Sequence, residues 1–184
     1  MDYYGIGIMS LVFPFLILFG ILAFFARDKK RGYTLNDYLF YILSFFSLAI
    51  LYISLSDLLR ILLQIAIKDP QRLNGYYSIK SEIPIRLSAL IVSIPLYIFS
   101  WKQAVKDTSE RLNELKKTYV TWIILLSVLT LIPSLIFVLG GFIGLGIGVS
   151  GANLTDIILS LPSILVATAV LAVHFRFRKK LLAK

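Results

Sequence analysis

Long apolar runs alternate along this chain with short charged segments. A hydrocarbon core of about 30 Å takes about 20 helical residues at about 1.5 Å each. Five stretches reach that length: Tyr4–Ala26, Tyr38–Ile67, Ile83–Trp101, Tyr119–Val149 and Ile157–Phe175. Each predicts a transmembrane helix. The first does not read as a signal peptide. Asp2 is its only early charge, and Arg27-Asp28-Lys29-Lys30-Arg31 stands where a small-residue cleavage site would follow. It is expected as an uncleaved helix that stops at the basic cluster. Residues 1–34 are therefore one membrane segment, and residues 35–184 a four-helix membrane domain made of hairpins 35–118 and 119–184.

Composition strengthens this class. Of 184 residues, 58% are hydrophobic and 16% charged, with a mean hydropathy of +0.85. Soluble domains carry about 45–50% apolar and about 25% charged residues. The surplus apolar surface must face lipid. The chain has no cysteine, which excludes disulfides, thiol nucleophiles and cysteine-ligated zinc. Its single histidine, His174, excludes an intrachain bis-histidine haem site, and its place beside Phe175 and Arg176 reads as interfacial.

The net charge of +9 is informative through its placement. Fourteen of the 19 basic residues lie after the first span, after the third and in the tail, against Lys68, Arg72 and Lys80 on the other side. By the positive-inside rule the former side is cytoplasmic, so five spans put the N-terminus outside and the C-terminus in the cytoplasm. The expected location is the plasma membrane. The basic excess is thus a topology signal that also attracts anionic lipid, and no nucleic-acid partner is expected. Aromatic residues at the span ends, among them Tyr41, Trp101, Tyr119 and Trp122, read as interfacial belts.

Spans two and four open alike, with Tyr38-Leu-Phe-Tyr41-Ile42 matching Tyr119-Val-Thr-Trp122-Ile123. Spans three and five both end on an aromatic–basic pair, Trp101-Lys102 and Phe175-Arg176. Two readings fit: a duplication giving one helix plus two parallel-repeat hairpins, or the shared composition of any two membrane hairpins. The run from Ile85-Arg86 to Pro95, the linker with Asp107 and Arg111, the helix headed by Tyr119 and closing on Gly140-Gly141, and Asp37-Tyr38-Leu39 upstream carry a likeness. Over about residues 36–175 the chain resembles the domain of unknown function 5671 family of small bacterial multi-helix membrane proteins. That resemblance implies a helical membrane fold and no activity, because the family has none assigned. The first span lies outside it, and Glu110 and Glu114 make the linker more acidic than the family pattern.

Several residues are candidates for more than lipid contact. Arg86 lies about one turn inside its span, where a charge needs a partner or a route to the surface. It fits lipid phosphate, an ion pair with Asp57, or an anion site. Asp57 and Arg60, three apart, also share a face. Gly140, Gly144 and Gly148 recur every four residues, a spacing for close helix packing. A glycine-rich loop and a re-entrant segment over residues 140–151 remain alternatives. The linker reads as a helix, with Asp107 as cap, Glu110 three residues on, and Val105, Leu112 and Leu115 as an apolar stripe.

No G-x-S-x-G, H-E-x-x-H, P-loop or paired intramembrane carboxylates occur, so neither catalysis nor a cofactor or metal is expected. The leading expectation is an accessory or scaffold subunit whose partners are the bilayer and other membrane subunits or copies of itself. The alternative is a small transporter or channel built from the two hairpins, against which stands the scarcity of mid-span polar groups beyond serine and threonine.

Overall fold

The computed structural model describes residues 35–67, 79–106, 110–150 and 152–182. They form four helices: α1, Leu35–Ile67; α2, Ile79–Lys106; α3, Glu110–Gly146; and α4, Leu154–Leu182. All four are long and apolar enough to cross a membrane. The expected first span, Tyr4–Ala26, lies outside the described residues. By its contacts the chain divides into two compact units, Met1–Leu39 and Phe40–Lys184.

Within the second unit, contacts fix the helix directions. Partners step down α2 as they step up α1: Tyr41 meets Ala104, Phe40 meets Phe99 and Asp57 meets Arg86. Gly141 of α3 lies against Ile157 of α4 and Gly144 against Ala152 in the turn between them, a second antiparallel hairpin. Ser44 and Tyr41 reach Tyr119, while Tyr97 and Trp101 reach His174 and Phe177. The unit therefore runs up-down-up-down, and its two hairpins point the same way. Lys102, Lys106, Lys116, Lys117 and the cations from Arg176 to Lys180 gather at one end, called here the basic end.

The linker is helical from Glu110 onward, and its expected cap, Asp107, lies outside the described residues. Glu110 to Gly146 is a single helix of 37 residues, about 55 Å long. Nothing between Glu110 and Tyr119 breaks a helix, so the first turns of α3 are polar and its remainder apolar. Leu115 is buried in it, and Val105 belongs to the end of α2.

At its far end α3 stops in a Schellman turn. The Val149 amide donates to the Gly144 carbonyl at 2.9 Å and the Gly148 amide to the Leu145 carbonyl at 3.3 Å. Gly148 takes φ +71°, the left-handed conformation this turn requires. Asn153 then caps α4, its Oδ1 accepting from the Thr155 amide at 2.9 Å. Residues 140–150 are thus helix followed by a closed turn.

Candidate functional site

Serine and threonine line much of the interior, and their hydroxyls mostly stay on their own helices. Ser47, Ser100, Ser127, Thr130 and Ser134 each donate to the carbonyl four residues back, at 2.7 to 3.1 Å. Small side chains that satisfy themselves let helices approach closely where lipid supplies no hydrophobic drive. Ser56 and Ser93 differ from these. Their hydroxyl oxygens are buried without a hydrogen-bond partner.

Toward the basic end the interior becomes aromatic and polar. Tyr41 donates to the Ala104 carbonyl at 2.9 Å. Ser44 and Tyr119 share a hydrogen bond of 2.7 Å. His174 Nδ1 lies 2.8 Å from the Val170 carbonyl. A carbonyl can only accept, so Nδ1 carries a proton, and Nε2 shares a hydrogen bond of 3.2 Å with the Tyr97 hydroxyl. Trp101 sits among these groups. Its ring stacks on Tyr97 at a 6.4 Å centroid distance and 13° and meets Tyr119, His174 and Phe177 at 5.4, 5.9 and 4.9 Å. Four helices are joined here by hydrogen bonds or ring contacts. Beside them Lys116 is buried and its ammonium donates to the Val105 carbonyl at 3.3 Å, near the C-terminus of α2.

Read as belt residues, Tyr41 and Tyr119 instead face inward, 5% and 8% exposed, whereas Trp122 points outward. The end of a span offers a tyrosine hydroxyl either water or an inward acceptor. Here Ala104 and Ser44 supply the acceptors. His174 is likewise buried among the helices, at 2% exposure.

At the other end Arg86 and Asp57 come together. The guanidinium lies 3.0 Å from the carboxylate, and each side chain is about one-third exposed. Arg86 follows Glu82 by four residues, so it sits about 6 Å further along α2 than that charge. Arg60, expected on the same face as Asp57, is exposed and outside this pair.

The glycine reading needs correction. A Cβ on Gly141 would meet Ile157 at 2.6 Å and one on Gly144 would meet Ala152 at 3.3 Å, whereas Gly140 meets nothing. Gly148 lies beyond the helix end and serves the turn. With 3.6 residues per turn, positions 141 and 144 share the face toward α4, and a strict four-residue stripe drifts off it. Gly141→Ala should therefore cost about 1–3 kcal/mol by overpacking. Gly140→Ala should be neutral or stabilise by up to about 1 kcal/mol through helix propensity. Thermal unfolding in detergent compares the two, and equal effects would refute the assignment.

The family described as Domain of unknown function (DUF5671) matches residues 37–173. The chain belongs to this family. No curated protein and no solved structure matches it. The matched region takes in Asp57, Arg86, Tyr41, Tyr97, Trp101, Tyr119 and the packing glycines, and ends before His174 and Phe177.

Proposed function

We propose that this DUF5671 protein is a non-catalytic, multi-pass subunit of the plasma membrane that acts as a scaffold or accessory component of a larger membrane complex. The observation carrying this reading is the closure of its interior. Tyr41, Ser44, Tyr97, Tyr119 and His174 pair with one another or with backbone carbonyls. Groups so engaged hold helices together and present little to a passing substrate or a reaction. The protein then works as a shape: a four-helix unit offering apolar faces on α2 and α3 to lipid and to other membrane helices. Solubilised from its native membrane in mild detergent, the tagged chain should migrate with a fixed membrane partner or as a defined oligomer. Migration as a 20.8 kDa monomer plus micelle would overturn the reading.

A transporter is the second reading. It draws on the two hairpins of like orientation and on Ser56 and Ser93, whose buried hydroxyls lack partners. Reconstituted vesicles that leak or exchange an ion only when Ser93 is intact would favour it.

The orientation belongs to the same proposal: N-terminus outside, basic end in the cytoplasm, following the distribution of lysine and arginine. This cysteine-free chain accepts single reporter cysteines. In intact cells a cysteine at Asn74 should react with an impermeant reagent and one at Glu114 should not; the reverse pattern inverts the topology.

A further inference from the structure

One face of α4 carries an apolar track that runs directly into a group of cations. Leu161, Leu165, Thr168, Ala172, Phe175, Arg176 and Lys179 follow at steps of one, three or four residues, so they share one side of the helix. All are exposed. The Lys179 ammonium lies 5.2 Å from the centre of the Phe175 ring, with its stem beside an apolar surface and its charge at the track's end. Lys180, one turn beyond Arg176, is exposed as well.

These three cations are left over electrostatically. Among the described residues the ion pairs are Arg86–Asp57 and Lys117–Glu114, and Lys116 is turned to the Val105 carbonyl. No carboxylate among the described residues pairs with Arg176, Lys179 or Lys180.

We propose that this face of α4 binds an acidic phospholipid of the leaflet at the basic end. An acyl chain lies along Leu165 to Phe175, and the phosphate lies among Arg176, Lys179 and Lys180. Charge complementarity and the adjoining track select this occupant together. A soluble anion would use the cations and leave the track bare. A choline lipid would use the track but bring its own cation toward the three already present. An acidic lipid satisfies both parts at once. The site goes beyond the scaffold reading, and lipid binding is measured independently of complex size.

The test titrates the purified full chain in detergent with phosphatidylglycerol or phosphatidylcholine of equal chain length and counts bound lipid by native mass spectrometry. Phosphatidylglycerol should bind the wild type at least about tenfold more tightly than phosphatidylcholine. R176Q/K179Q/K180Q should lose about tenfold in phosphatidylglycerol affinity, whereas K102Q/K106Q/K117Q, which removes the same charge elsewhere at this end, should lose less than about threefold. Phe175→Ala keeps every charge and should still weaken binding about threefold, because Lys179 loses its support; it carries the test if the triple variant does not fold. Equal losses in the two triple variants would reduce the effect to net charge and overturn the site. So would equal binding of the two lipids, or full displacement of phosphatidylglycerol by millimolar inorganic phosphate, which would mark a soluble-anion site.

Discussion

Trp101→Ala should lower the unfolding free energy by about 3 kcal/mol, the low end of the range for removing a large aromatic from a packed interior. The low end applies because the side chain is only partly buried. Trp101 of α2 touches Tyr119 of α3 and both His174 and Phe177 of α4. An alanine would leave a gap between three helices at once. In lipid the loss is one of packing more than of hydrophobic transfer, since the surrounding solvent is itself apolar. Trp101→Phe should recover most of the loss by refilling the gap. Tyr97→Phe should cost about 1 kcal/mol, the contribution of one hydrogen bond, here the one to His174. Reversible unfolding in mixed micelles measures all three. A loss below about 1 kcal/mol for Trp101→Ala would show that the ring cluster does not hold the helices together.

The sequence was legible where depth decides and opaque where rotation decides. Run length alone located the four described helices, because a bilayer demands a minimum apolar length. Hydropathy marks where a helix enters lipid and says nothing of where it begins. Glu110 to Thr118 is polar and helical, so it simply extends α3. Rotation is harder. These helices are apolar on most sides, and no polar stripe tells the inner face from the outer. On the sequence Tyr41 and Tyr119 therefore read as belt residues although they face inward, and the four-residue spacing picks Gly140 although Gly141 makes the contact. The aromatic cluster left a faint signal. Tyr97, Trp101, His174 and Phe177 each lie within a few residues of the basic end of α2 or α4, but which side they faced could not be read from spacing. Arg86 and Asp57 were traceable because both could be counted inward from charged boundaries to a common level.

That level governs what their removal does. Arg86→Leu should destabilise the protein by about 2–3 kcal/mol and Asp57→Leu by about 1–2 kcal/mol, between the values for exposed pairs and for fully buried ones. The asymmetry follows from reach. An orphaned Arg86 has a long stem and lies about 6 Å inside Glu82, so its guanidinium can extend to lipid phosphate. An orphaned Asp57 has one methylene and cannot. The double leucine variant should recover at least half of the summed loss, since neither charge is then left in an apolar setting. Thermal or denaturant unfolding of the four proteins in one detergent closes the cycle. Strictly additive losses would mean that the 3.0 Å contact carries no coupling energy. Arg86 would then be held by lipid phosphate or a bound anion, and adding salt or anionic lipid should shift the stability of the wild type and of Asp57→Leu by the same amount.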